Sequence, residues 1–146
     1  MSTDAAVTKE LMETLEDGKE GYAKGAEKLE KDGSAAAATF RRYAEQRATF
    51  YAELQQLARE YGDQLNEGGT VTAAVHRGWL SLKDALAGSS AKGVLGAAQS
   101  GEEHAVKEYE KALAADISPT LKAVVERQLA EVRTAKAEIA RLHEAA

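Results

Sequence analysis

The sequence predicts an all-α protein, and three observations carry this prediction. Ala, Glu, Lys and Leu are common and proline occurs once in 146 residues, a composition that favours helix throughout. Apolar residues recur three or four positions apart, as on the buried face of a helix. Breaks rich in Gly, Ser or Pro divide the chain into four long segments and one short one. We therefore predict one domain with helices over residues 3–31, 34–65, 70–87, 91–115 and 118–144 of the single domain 1–146.

The first two helices are separated by a very short connection. In the first helix, Leu11, Leu15 and Tyr22 share one face, and Gly33 provides a glycine stop at its end. Ser34 then has the position of an N-cap for the second helix. Two long helices joined by so tight a turn are expected to pack as an antiparallel hairpin.

The third helix is short and lies between two pairs of long helices. Thr70 is its predicted N-cap, Trp79 is expected to anchor it on its neighbours, and residues 88–90 end it. The last two helices meet at Ser118-Pro119, since proline is tolerated at the first helical position, and they form a second hairpin. Two hairpins joined by one long crossover make the ferritin-like arrangement. The expected fold class is therefore an all-α, ferritin-like four-helix bundle with a short extra helix in the crossover.

Arg47 interrupts an apolar stripe of the second helix. Tyr43, Phe50 and Leu54 recur on that stripe, so the guanidinium is expected inside the bundle. An unpaired buried guanidinium costs several kcal/mol, so a partner is required. Glu102, on the stripe of the fourth helix, is the expected partner. The alternative is that Arg47 extends its charged end to solvent along the helix.

Further polar residues are expected at the same level of the bundle. Counted from the hairpin turns at about 1.5 Å per residue, the layer lies about 20 Å from the turns. One hairpin contributes cations to it and the other contributes anions, and we hypothesise that the layer fixes the register between the hairpins. The residues of this predicted buried polar layer are Lys19, Arg47, Glu102, Gln128 and Glu131.

A ferritin-like bundle raises the alternative of a di-iron or di-manganese centre. Such a centre needs a Glu from each of two helices and a Glu-x-x-His from each of the other two. A faint internal repeat (17–28 with 100–111, and 42–48 with 128–134) nominates four carboxylates, Glu20, Glu45, Glu103 and Glu131. No Glu-x-x-His occurs in the chain, and helical rotation turns three of the four away from the apolar faces. We therefore predict no cofactor, with iron or manganese held by carboxylates as the alternative.

The composition excludes several classes of function. The net charge is −5 and no basic stripe is present, which argues against nucleic-acid binding. The absence of Cys excludes thiolate catalysis and Cys-zinc sites. No apolar run approaches the length of a membrane span and the acidic start is no signal peptide, so a cytoplasmic protein is expected. No Walker loop, G-x-S-x-G or G-x-G-x-x-G is present, which favours a protein that is not an enzyme.

Five stretches of the chain resemble a bacterial family of small ferritin-like four-helix-bundle proteins of unknown function. The stretches are ETLEDGKEGY (13–22), EQRATFYAEL (45–54), AAVHRGWLSLKDALAG (73–88), GEEHAVKEYEKAL (101–113) and VERQLAEV (125–132). The segment HRGW is the most specific of these. The resemblance implies a ferritin-related fold and a stress-associated setting. A histidine is common in that family where this chain has Lys136, and this departure also weighs against a metal centre.

Two functions follow from these expectations. The first is a metal-free bundle that acts as a structural, stress-related or protein-interaction module, with a homodimer permitted by the wide apolar stripes of the first two helices. The alternative is a ferritin-like metalloprotein that binds iron or manganese and has oxidase or storage activity.

Overall fold

The regular structure of the chain is entirely helical in the residues that can be described. The computed structural model describes residues 3–60, 78–88 and 90–146, and no strand occurs among them. Five helices occur within these ranges, α1 (Thr3–Lys31), α2 (Ala36–Ala58), α3 (Leu82–Ala87), α4 (Ala91–Ala114) and α5 (Pro119–Ala145). The prediction of an all-α protein is confirmed. None of the helices that can be described combines the length and the apolar character needed to cross a membrane.

The connection between α1 and α2 depends on a glycine with positive φ. Gly33 has φ +72°, a conformation that L residues rarely adopt. The Ser34 N–H donates to the Leu29 carbonyl oxygen at 2.8 Å, which closes the end of α1 in the manner of a Schellman motif. The Ser34 hydroxyl in turn accepts a hydrogen bond from the Ala36 N–H at 3.2 Å. Four residues therefore suffice to end one helix and begin the next.

The start of α5 is capped from two sides. The Ser118 hydroxyl accepts a hydrogen bond from the Leu121 N–H at 3.3 Å, and Pro119 follows in the first turn. The carboxylate of Asp4, near the start of α1, accepts the Ser118 N–H at 2.8 Å. The beginning of α1 is thus hydrogen-bonded to the turn between α4 and α5.

Several predicted helix bounds differ from the structure, and two of them differ by more than two residues. The second helix ends at Ala58 and its chain continues into a 3₁₀ turn at residues 59–60, as helix ends commonly do, instead of continuing to residue 65. In the described part of the third helix, the α-helix begins at Leu82, because residues 78–79 are 3₁₀ and residues 80–81 form a turn. The other expectations for this region, among them the N-cap at Thr70, fall on residues 61–77, which lie outside the described residues.

The four long helices enclose two apolar clusters. α1 packs mainly along α2, α4 packs mainly along α5, and α1 also contacts α4. The largest side chains of the first cluster are Leu11, Leu15, Phe50, Leu54, Tyr109, Leu121 and Leu129. Those of the second cluster are Tyr22, Leu29, Phe40, Tyr43, Trp79, Leu82, Leu95 and Ile139. Along α2 and α4, Arg47 and Glu102 lie between the segments that contribute to the two clusters.

Candidate functional site

Arg47 and Glu102 form an ion pair in the interior, each from the middle of its helix. Nη1 of Arg47 lies 2.7 Å from Oε1 of Glu102, and Nη2 lies 2.6 Å from Oε2. The two side chains are 2% and 0% exposed. The two parallel N–H···O bonds make the pair bidentate, which fixes its geometry as well as its charge.

Tyr22 supplies a third hydrogen bond to the Glu102 carboxylate. The Tyr22 hydroxyl donates to Oε2 at 2.7 Å. Its ring lies beside Arg47, with the guanidinium carbon 5.4 Å from the ring centroid, a distance at which a cation is attracted to an aromatic face. The remaining Arg47 Nε donates to Oε1 of Gln46 at 3.2 Å. Both buried charges are therefore paired and hydrogen-bonded, as burial requires.

Contacts with Glu102 stabilise the protonated forms of its two hydrogen-bond donors, Arg47 and Tyr22. Burial alone would lower the pKa of Arg47, but attraction and hydrogen bonding by Glu102 raise this pKa above its ordinary value. Burial, reinforced by the negative charge of Glu102, raises the pKa of Tyr22 well above its ordinary value. Tyr22 and Arg47 therefore remain donors to Glu102 at physiological pH.

Gln128 forms a second buried polar contact. The Tyr109 hydroxyl donates to Oε1 of Gln128 at 2.6 Å. The Gln128 Nε2 donates to the Phe50 carbonyl oxygen at 3.3 Å and to Oε1 of Glu53 at 3.1 Å. Burial raises the pKa of Tyr109, so its hydroxyl also remains a donor. This fully buried amide joins α5 to α2 and α4 with its polar atoms satisfied.

Two members of the predicted polar layer lie at the surface. The Lys19 side chain is 43% exposed and its Nζ lies 2.8 Å from a carboxylate oxygen of Glu16. The Glu131 side chain is 50% exposed and its nearest cation is Arg127, at 3.8 Å. The count of residues from the turns estimated depth along the axis correctly for Arg47, but it does not fix rotation about the axis. Lys19 and Glu131 are therefore wrongly placed in the layer, whereas Arg47, Glu102 and Gln128 are buried.

The sequence did not predict a buried polar group at either Asp17 or Tyr22. Asp17 is buried, with 2% of its surface exposed, and Tyr22 was assigned only to the apolar face. A usable signal for Asp17 is its position one helical turn before Gly21, because residues four apart share a face and Gly21 lies against a neighbouring side chain. No comparable signal identifies the Tyr22 hydroxyl as a donor to Glu102.

Trp79 packs against Tyr22, whose hydroxyl donates to Glu102. The indole is 4% exposed, and its ring centroid lies 4.9 Å from that of Tyr22 in an edge-to-face arrangement. It lies between Gly21 of α1 and Gly101 of α4, where an added Cβ on either glycine would come within 3.0 Å of the ring. We call this position, formed by Gly21, Tyr22 and Gly101, the tryptophan slot.

We expect Gly101→Ala to destabilise the protein although alanine is the better helix former. The added methyl overpacks the tryptophan slot, an effect that costs about 1–3 kcal/mol in well-packed cores. The measurement is urea denaturation followed by circular dichroism, together with the fluorescence of Trp79, which should shift to the red.

Gly96→Ala in the same helix is the matched control. An added Cβ there lies 3.6 Å from His143, an ordinary contact, so helix propensity should stabilise this variant by up to about 1 kcal/mol. If both alanine variants gain stability, the slot is not as tightly filled as the structure indicates.

The four carboxylates of the alternative hypothesis, a di-metal centre, do not lie close together. Glu45, Glu103 and Glu131 are exposed and Glu20 is half-buried. Within residues 3–60, 78–88 and 90–146, no three His, Asp or Glu side chains are grouped so that they could hold a metal ion. Glu102, which is fully buried, is not among these four, and its oxygens accept hydrogen bonds from Arg47 and Tyr22. These residues do not fit a di-iron or di-manganese centre.

The family of the chain is shown by its match to a family described as a domain of unknown function (DUF2383), over residues 5–115. The chain belongs to this family. The matched range contains the ion pair, Tyr22 and the tryptophan slot, whereas Gln128 lies beyond it. No curated protein and no solved structure matches the chain.

Proposed function

We propose that this DUF2383 protein is a ferritin-like bundle of two antiparallel hairpins that acts without a metal. In this proposal it is a structural or protein-interaction module in a stress-associated setting and performs no catalysis. The Arg47–Glu102 pair takes the interior position that a di-metal centre has in ferritin-like proteins. The observation that carries the proposal is that the buried carboxylate of Glu102 is neutralised by the Arg47 guanidinium of the same chain.

Contacts within each pair of helices support the two-hairpin arrangement. Positions 18 and 25 of α1 lie against Arg47 and Phe40 of α2, so residue numbers rise along one helix as they fall along the other. The same opposition holds between α4 and α5, where Tyr109 contacts Gln128 and position 96 lies against His143. Each pair is therefore consistent with an antiparallel hairpin.

Contacts between the two pairs support the crossover. Tyr22 meets Glu102, and Glu10 lies 3.3 Å from Lys111, so α1 and α4 also run in opposite directions. Since α2 and α4 both oppose α1, they run parallel to each other. Two parallel helices need a connection that returns along the bundle, and a single such connection is the feature that separates the ferritin-like arrangement from an up-and-down bundle.

Partner binding in this proposal does not use the apolar stripes of α1 and α2. The sequence made these stripes available for a homodimer, but their residues are buried within the chain. Among the described residues, the large hydrophobic side chain that remains mostly exposed is Leu80, at 75%. A homodimer would therefore have to form through surfaces other than the stripes.

Metal content and metal-dependent stability test the proposal. Protein purified without chelator is expected to contain far less than one iron or manganese per chain, and added Fe(II) or Mn(II) should leave its melting temperature unchanged. A ligand at 100 times its dissociation constant would stabilise the fold by about 2.7 kcal/mol, which is easily measured. A metal content close to one or two ions per chain, together with a metal-dependent stabilisation that is lost in Glu102→Gln, would instead support the metalloprotein hypothesis.

A further inference from the structure

Residues 78–87, just before and within α3, are held to the long helices by few large side chains of their own. Trp79 and Leu82 are buried, with 4% and 6% of their surfaces exposed. Between and after them, Leu80, Ser81 and Lys83 are exposed. By contrast, every long helix contributes buried residues to both apolar clusters. Ala85 and Leu86 add partly buried contacts to the second cluster. Residues 78–87 therefore depend on two buried anchors and two partly buried side chains, whereas each long helix contributes many buried side chains.

The stronger of these anchors, Trp79, packs closely against α1 and α4. An added Cβ at Gly78 would lie 2.7 Å from the Cβ of His104, so the backbone of the segment approaches α4 as closely as a glycine permits. The indole then fills the tryptophan slot between Gly21 and Gly101. Close packing of this kind favours two discrete arrangements, seated or displaced, over a continuous range of positions.

We infer that residues 78–87 form a latch that opens as a unit while the four long helices remain folded. Parts of a protein with few buried contacts open at a lower free energy than the whole, and they do so cooperatively. The main anchors of the latch are two buried side chains. When the latch is displaced, both core clusters still contain side chains from all four long helices. Opening uncovers Gly21, Gly101 and the ring of Tyr22, and it gives water a path to the Glu102 carboxylate.

The latch therefore controls the environment of the ion pair. With Trp79 seated, Arg47 and Glu102 interact in a dry interior, where charges attract strongly. With Trp79 displaced, water competes for the Glu102 oxygens through the side that the indole had covered. This inference concerns motion of the fold and holds whether or not the proposed metal-free function is correct.

Hydrogen exchange of the indole N–H tests the latch, because the chain has one tryptophan and its signal is unambiguous. In native conditions the indole N–H should exchange at least tenfold faster than the slowest backbone amides of α1, α4 and α5, through an opening that depends only weakly on urea. An indole N–H as protected as those amides, with the same dependence on urea, would show that Trp79 is released only by global unfolding and would overturn the inference.

Two variants separate opening of the latch from unfolding of the bundle. Leu82→Ala removes the second anchor and should speed indole exchange by about tenfold or more; because the seated latch is part of the folded state, the slowest amides of α5 should speed by a comparable factor. Leu129→Ala acts in the other apolar cluster, where it should speed the slowest amides and leave the indole rate unchanged. If Leu129→Ala accelerates indole exchange as much as it accelerates the slowest amides, the segment is not an independent unit.

Discussion

Replacing Glu102 with leucine is expected to lower the free energy of unfolding by about 3–5 kcal/mol, because it leaves the buried guanidinium of Arg47 without a partner. An arginine cannot lose its proton in a protein, so the charge cannot be relieved by neutralisation. The measurement is urea denaturation followed by circular dichroism. Arg47→Met should cost less, since the Glu102 carboxylate that remains can take up a proton.

The neighbouring residue provides the control for this prediction. Glu103 is on the exposed side of the same helix, so Glu103→Leu should change stability little. The double variant Arg47→Met with Glu102→Leu replaces the pair by apolar side chains and should recover most of the stability lost in Glu102→Leu alone. A single Glu102→Leu variant as stable as Glu103→Leu would contradict an interior ion pair.

Alkaline pH is expected to unfold the protein through its buried tyrosines. Burial raises the pKa of both Tyr22 and Tyr109 in the folded chain, whereas unfolded tyrosine has a pKa of about 10. Stability from these two groups is therefore complete below about pH 10 and is lost as the pH rises above this value. While both stay protonated in the folded chain, the free energy of unfolding should fall by about 2.7 kcal/mol per pH unit.

The measurement is urea denaturation at several pH values above 10, with tyrosinate absorbance recorded in parallel. Tyr22→Phe and Tyr109→Phe should each halve the slope that these two groups contribute, since each removes one titrating proton. Tyr43, whose pKa is raised to about 12 by burial and by its hydrogen bond to Glu138, adds a further decline in the same direction. A stability that stays constant from pH 10 to pH 12 would contradict the burial of these hydroxyls.

The sequence predicts best those features that depend on a single helix. The positions of α1 and α5, and the inward direction of Arg47 and Glu102, follow from periodicity and from turn residues. The prediction that Lys19 is buried is wrong. Counting residues from the turn gives a depth along the helix axis, whereas burial also depends on which side of α1 the neighbouring helices cover.

The Arg47–Glu102 pair could be predicted because a buried guanidinium requires a partner, but other features that join distant segments could not be read from the sequence. The tryptophan slot requires that Gly21 and Gly101, eighty residues apart in the chain, face the same point. The same is true of the hydrogen bond from Tyr22 to Glu102. A glycine or a tyrosine within one helix does not indicate such a contact, and only the tertiary structure shows which residues meet.

The hydrogen bond between Asp4 and Ser118 has a mechanical consequence. It fastens the amino-terminal turn of the chain to the loop that precedes the last helix, across 114 positions of sequence. Tension applied at the amino terminus is therefore shared with that distant loop through this bond, so peeling of the first helix from its end requires the bond to break first.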